Sequence, residues 1–147
     1  MENPAFDSLR LENQMCFPLY AAAREVTKLY RPYLDALNLT YTQYITMMVL
    51  WECGECSVKA LGEKLLLDSG TLTPVLKSME NKGYVRRSRS REDERVLIVG
   101  LTDAGRALKF RAGNVPAQVG SCIRLTPEEV QTLYRLLYKL LKMNTEN

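Results

Sequence analysis

Four thiols, Cys16, Cys53, Cys56 and Cys122, are the strongest nucleophiles in this 147-residue sequence. A thiol reacts as its thiolate, so each is a candidate for redox or metal chemistry. There is no histidine. That excludes His-based triads, HExxH zinc sites and His-ligated haem, because no imidazole is present to act as base or ligand. Four cysteines so unevenly spread do not make a disulfide framework, and in a reducing compartment they are free thiols. Cys53-Gly54-Glu55-Cys56 is a CxxC pair. One such pair supplies two of the four ligands of a structural zinc site, and it falls between two helical stretches rather than after a strand as in thioredoxin-type motifs. An accessory redox or adventitious metal role is what remains for it. Cys16 lies near the start of a helical stretch, where free N–H groups and the helix dipole stabilise an anion. Taken alone, though, a cysteine among apolar residues is more often a core thiol than a reactive one.

The second chemistry is electrostatic. The stretch from Lys82 to Arg95 holds six basic residues (Lys82, Arg86, Arg87, Arg89, Arg91, Arg95) and three acidic ones (Glu92, Asp93, Glu94), so the chain's whole net charge of +3 falls there. Five of the six are arginine, whose planar fork suits phosphates and base edges better than the lysine ammonium does. A solvated basic loop has the same composition, so the surrounding elements decide.

Those elements read mainly as helices. Leu19, Ala22, Ala23, Val26, Leu29, Tyr30 and Tyr33 form a helical stripe between Leu11 and Leu37, with Pro18 near a first turn or a kink and Pro32 at a further irregularity. Residues 40–51 give a second, mostly buried helix. Ser57 caps a third, with Val58, Leu61 and Leu65 on one face. Asp68-Ser69-Gly70 turns into a fourth, whose buried side is Leu72, Val75, Leu76 and Met79, with Pro74 expected in or near its first turn and Gly83 just past its end. The period then changes. Residues 84–87 and 96–99 read as two short strands around a polar tip, residues 88–95. Thr102 caps another helix, and Thr126-Pro127-Glu128-Glu129 is a capping box opening a last one with a wide apolar face (Val130, Leu133, Leu136, Leu137, Leu140, Leu141).

Two short helices joined by a turn and followed by a basic hairpin make a winged helix-turn-helix, mainly α within the α+β class. The helix over 69–82 is then the recognition helix. Its expected outward residues, Ser69, Thr71, Thr73, Lys77 and Ser78, suit phosphate and base-edge contacts, and Arg86, Arg89, Arg91 and Arg95 sit where a wing meets DNA. The first and last helices exceed what such a lobe needs, and their apolar faces fit a helical dimerisation domain. A dimer presents two recognition helices about one DNA turn, ~34–36 Å, apart.

The run Asp68-Ser69-Gly70-Thr71-Leu72-Thr73-Pro74, with Asp93-Glu94-Arg95 before Val99-Gly100-Leu101-Thr102, resembles the MarR family of bacterial winged-helix regulators. Leu11-Glu12-Asn13-Gln14-Met15-Cys16-Phe17, with Leu39-Thr40-Tyr41-Thr42-Gln43-Tyr44, resembles its organic-hydroperoxide-sensing repressor branch, the OhrR-like proteins. The resemblance runs from about Leu11 to the final helix. It implies a homodimeric repressor that covers a palindromic operator on double-stranded DNA, with Arg95 entering the minor groove and Asp93 bracing the wing. It implies that Cys16 is the peroxidatic, redox-sensing cysteine, oxidised to sulfenic acid by an organic hydroperoxide. Tyr30 and Tyr41 are then its hydrogen-bond partners, Tyr41 coming from the other subunit. Cys122 matches the resolving cysteine of family members that close an intersubunit disulfide. Phe17, Leu19, Val26 and Met47 or Met48 are expected to line an apolar peroxide pocket.

The expected organisation is therefore one domain over 1–147, with a DNA-binding lobe at about 40–102 and dimerisation helices at about 8–38 and 103–147. No apolar run approaches the ~20 residues of a membrane span. The start has no signal-peptide pattern, which points to a cytoplasmic regulator without membrane contact, without a cofactor or metal, and not an enzyme. Two rivals stand beside it: a repressor of this family relieved by a small aromatic ligand without thiol chemistry, and, from another class, a small thiol peroxidase or oxidoreductase using Cys16 or the CxxC pair. The second leaves the arginine hairpin unexplained.

Overall fold

A computed structural model describes residues 4–142. Two short 3-10 turns, Pro4–Leu9 and Leu11–Asn13, lead into α1 (Cys16–Asp35) and α2 (Tyr41–Cys53). Then come β1 (Glu55–Ser57), α3 (Val58–Leu65), α4 (Ser69–Asn81), β2 (Val85–Arg89), β3 (Leu97–Leu101), α5 (Asp103–Ala112), α6 (Val115–Gly120) and α7 (Pro127–Lys142). This is the expected mainly helical winged helix-turn-helix. Two compact units divide between Val115 and Pro116. The lobe expected at 40–102 lies wholly inside the first, and positions 1–3 and 143–147 of the expected domain lie outside the described residues.

Side-chain caps set the helix starts. Ser57, Asp68 and Thr102 each accept a hydrogen bond from the backbone N–H three residues on, at Ala60, Thr71 and Gly105. Each satisfies a donor that the helix itself cannot, a contribution of about 0.5–2 kcal/mol. Thr40 and Gln43 form a complete capping box on α2, and Thr126 with Glu129 does the same for α7. Gly83, at φ +77°, follows α4 in the left-handed region where a side chain is strained.

The prolines divide. Pro18 is the third residue of α1, where a missing N–H costs nothing, and Pro32 lies in its last turn. Pro74 sits inside α4 beyond the first turn, contrary to expectation. It withdraws the N–H that would reach the Gly70 carbonyl, and Gly70 is exposed, so water can take that place.

The sheet has three strands in the order β1-β3-β2, against two expected. The hairpin pairs Val85 with Leu101 through Arg89 with Leu97, and β1 adds Cys56 opposite Val99 on the other edge of β3. Met47 and Leu50 of α2, Leu61 of α3, Leu72, Leu76 and Met79 of α4, and Val85 and Val99 of the sheet make the core of this lobe. Two glycines let the backbone close up. A Cβ on Gly62 would stand 2.6 Å from the Leu67 carbonyl oxygen, and one on Gly105 2.1 Å from that of Tyr84. The first holds the α3–α4 turn tight; the second seats α5 against the chain entering the hairpin, where Trp51 also donates its indole N–H to the Gly105 carbonyl at 2.9 Å. In the second unit, α7 carries no buried residue: Val130, Leu133, Leu136, Leu140 and Leu141 are all exposed. No described helix is long and apolar enough to cross a membrane.

Candidate nucleic-acid interface and redox thiols

The recognition helix is positioned from its first residue. Asp68 accepts the Thr71 N–H at 2.7 Å, and the Thr71 backbone and hydroxyl hold its carboxyl below the usual carboxylate range. Leu72, Leu76 and Met79 anchor one side of α4 in the core, which turns Ser69, Thr71, Thr73 and Lys77 out to solvent. Ser78 is a correction. It lies about 100° further round the helix than Lys77, faces α2, and accepts a hydrogen bond from Gln43 at 3.0 Å.

The wing sorts its cations in the same way. Arg86, Arg89, Arg91 and Arg95 are exposed. Arg87 points to the inner face, where Glu80 accepts its backbone N–H at 2.9 Å and its guanidinium at 2.9 and 3.1 Å. Those contacts, the backbone N–H first, hold the Glu80 carboxyl below its ordinary range. Lys82 donates to the Asn38 carbonyl and to Gln43. Two of the six clustered cations therefore tie the lobe together, and the other four stay exposed at the surface of the hairpin. At its tip, Ser90 and Val96 close the turn at 2.8 Å, and Asp93 receives both the backbone N–H (3.0 Å) and the Nε (3.1 Å) of Arg95. The Arg95 side chain, first, and then its N–H lower the Asp93 carboxyl's affinity for a proton. Asp93 thus braces the turn while the Arg95 side chain stays 91% exposed. Between the α3–α4 turn and the wing runs a groove of about 1030 Å³, lined by Lys59, Asp68, Ser69, Thr73 and Arg95 among others.

The thiols occupy separate places. Cys16 is the first residue of α1 and is exposed. Cys122 is exposed just after α6, its thiol 3.5 Å from the Gln118 carbonyl. Tyr30 and Tyr41 meet edge to face at 4.9 Å within one chain, and Tyr44 and then Trp51 extend the aromatic cluster. Burial, and then Tyr30, push the Tyr41 phenol above its ordinary range, so it stays a hydrogen-bond donor at neutral pH.

This pairing corrects the expected division of the tyrosines between subunits. Tyr30 lies fourteen residues beyond Cys16 on the continuous helix α1, a separation of about 21 Å at 1.5 Å per residue. It cannot reach the thiol of its own chain, and Tyr41 stands beside it. Any bond from this pair to Cys16 runs to a second chain, with both phenols from the same subunit. Of the residues expected to line a peroxide pocket, Phe17, Leu19, Val26 and Met48 are exposed, whereas Met47 is fully buried in the core. Glu80 and Gln43 are the positioning residues that the sequence reading misses, although Thr40-x-x-Gln43 is a legible capping box and Glu80 is an acidic residue shortly before a run of arginines.

The family model described as transcriptional regulator SarA/Rot matches residues 28–111. The organic hydroperoxide resistance transcriptional regulator of Bacillus subtilis is 49% identical over 142 residues, covering 97% of this chain and 96% of the relative. The chain belongs to the MarR/SarA family of winged-helix transcriptional regulators. Among solved structures, this MarR-family chain is similar to AbfR of Staphylococcus epidermidis. Over-oxidised AbfR bound to DNA is 35% identical with a TM-score of 0.76, over 95% of this chain and 98% of that one. Disulfide-formed AbfR is 34% identical with a TM-score of 0.64, over 93% and 96%. A mutant of MarR from E. coli, complexed with operator DNA, is 25% identical with a TM-score of 0.77, over 95% and 99%.

Proposed function

We propose that this regulator is a homodimeric, cytoplasmic repressor that leaves a palindromic operator when Cys16 is oxidised by an organic hydroperoxide. The observation that carries the reading is the exposed Cys16 thiol at the first residue of α1, in a chain that is 49% identical to a regulator of organic hydroperoxide resistance. Ser69, Thr71, Thr73 and Lys77 of α4 enter the major groove, Arg86, Arg89 and Arg91 meet phosphates, and Arg95, braced by Asp93, reaches the minor groove. The exposed apolar side chains of the amino-terminal turns and α1 (Phe6, Leu9, Leu11, Met15, Phe17) and of α7 are covered in the dimer. Tyr30 and Tyr41 of the partner subunit donate to the Cys16 thiolate.

The thiolate attacks the peroxide's distal oxygen, the O–O bond breaks, and the alcohol leaves after taking up a proton. Cys122 of the other subunit then attacks the Cys16 sulfenic sulfur, expelling water and closing an intersubunit disulfide. Support for that last step is a relative with a disulfide form whose fold departs further from this chain than its DNA-bound form does. A disulfide that fits one spacing of the two lobes better than another shifts the dimer away from its DNA-bound arrangement.

Non-reducing electrophoresis with intact mass, after one equivalent of an organic hydroperoxide, tests the chemistry. Wild type is expected to give a reducible covalent dimer that Cys122→Ser does not. An unmodified Cys16 in both proteins refutes the sensor reading. Cys16 oxygenated but never linked refutes the role of Cys122 alone.

A further inference from the structure

The CxxC pair has no part in this account, and the fold places its two thiols on either side of a tight reversal. Cys53 is the last residue of α2 and is exposed; Cys56 is the middle residue of β1 and is half-buried. Gly54 makes the junction. It holds φ +75°, a conformation that strains any L side chain, and its N–H still caps the helix on the Leu50 carbonyl while its own carbonyl accepts the Leu101 N–H. The chain therefore leaves the helix, reverses within one residue and enters the sheet, so Cys53 and Cys56 flank that reversal three residues apart. Among the described residues no third Cys, Asp or Glu joins the pair in a cluster able to hold a metal ion.

We propose that Cys53 and Cys56 are a second redox site, a dithiol in the DNA-binding lobe that closes to an intrachain disulfide under organic hydroperoxide, separately from Cys16 and Cys122. Cys53, the exposed thiol, meets the oxidant. Its thiolate attacks the distal peroxide oxygen, giving Cys53 sulfenic acid and, with one proton, the alcohol. Cys56 then attacks the Cys53 sulfur, its proton leaving with the hydroxyl as water. Two thiols and one hydroperoxide become one disulfide, one alcohol and one water. The direction is favoured by the surroundings of Cys56: burial, and then Cys53, push its thiol up to about 11. A reduced form that is not stabilised as thiolate makes the disulfide the less oxidising, more persistent product. The bond closes within one chain, at the corner where β1 joins β3, so it forms without linking subunits.

The Cys16→Ser/Cys122→Ser double variant isolates the pair. It is treated with one equivalent of cumene hydroperoxide, and free thiols, intact mass and the proteolytic fragment carrying residues 53–56 are measured. The expected result is the loss of both remaining thiols and of the mass of two hydrogens, an internal disulfide in that fragment, no covalent dimer, and full recovery with dithiothreitol. The same fragment from oxidised wild type is expected to carry the same disulfide, which tests the site without any substitution. Two thiols surviving unchanged in both proteins, or stable oxygen adducts at Cys53 with Cys56 free, would overturn the proposal. Wild type that consumes two equivalents of oxidant per chain supports it, and one that stops at a single equivalent spent on Cys16 refutes it. Neither failure touches the sensor role of Cys16, which is read at a different residue.

Discussion

The sharpest quantitative consequence concerns which cations are free to meet DNA. Five exposed ones lie on α4 and the wing, Lys77, Arg86, Arg89, Arg91 and Arg95, whereas Glu80 holds Arg87 through three hydrogen bonds. Of these, the three assigned to phosphates, Arg86, Arg89 and Arg91, make six in a dimer, and their contacts give a slope of log K against log salt of about −5.4. Arg91→Ala removes two cations per dimer and makes the slope shallower by about 1.8. Over a four-fold rise in salt, the variant then loses about 12-fold less affinity than wild type does. Arg87→Ala removes the same formal charge from the same hairpin, yet its guanidinium is already neutralised by Glu80. It is expected to leave the slope unchanged while lowering thermal stability, since Glu80 loses its partner. Fluorescence anisotropy on a labelled operator, titrated across salt, reads both slopes. Equal changes of about 1.8 for both variants, or a change for Arg87→Ala alone, would refute the division of the arginines into free and structural.

Gly62→Ala forces a Cβ against the Leu67 carbonyl at 2.6 Å, and backbone cannot swing aside as a side chain can. A loss of about 1–3 kcal/mol is expected in thermal or urea unfolding, together with weaker operator binding. On the proposed arrangement, Tyr41→Phe removes one hydrogen bond to the Cys16 thiolate. About 1.5 kcal/mol of charge-assisted stabilisation corresponds to roughly ten-fold slower oxidation, measured by thiol loss under excess peroxide. Asp68, Glu80 and Asp93 all have carboxyls held below their ordinary range by hydrogen bonds in the fold. Their contribution to stability is therefore complete above that range and is lost as pH falls through and below it, so Asp68→Asn is expected to flatten the acid limb of a stability–pH curve and leave its shape at neutral pH unchanged.

Much of the lobe is legible in the sequence because its signals are local. Ser57, Asp68 and Thr102 cap within three residues of themselves, and Leu72, Leu76 and Met79 mark a helical face whatever surrounds it. The arginine hairpin is legible because charge and period change together at Tyr84. What cannot be read depends on partners distant in sequence. β1 is three residues long, too short to show alternation, and exists because Val99 lies opposite Cys56. Ser78 is turned inward by Gln43, thirty-five residues away, and Arg87 is distinguished from its neighbours only by where Glu80 ends up. Pro74 lies deeper in α4 than its residue type suggests, and the Gly70 carbonyl that it leaves without its helical partner belongs to an exposed residue. The division of the tyrosines escapes the sequence for a related reason: spacing gives the distance along α1, but not that Tyr41 folds back against Tyr30.

The central claim is that oxidation beginning at Cys16 triggers release from DNA. Operator affinity of wild type and Cys16→Ser, measured by anisotropy before and after one equivalent of an organic hydroperoxide and again after dithiothreitol, tests it most directly. Wild type is expected to bind when reduced, to lose affinity on oxidation and to regain it on reduction, while Cys16→Ser binds throughout. A Cys16→Ser protein released by peroxide as readily as wild type would contradict the account and move the sensing chemistry elsewhere in the chain.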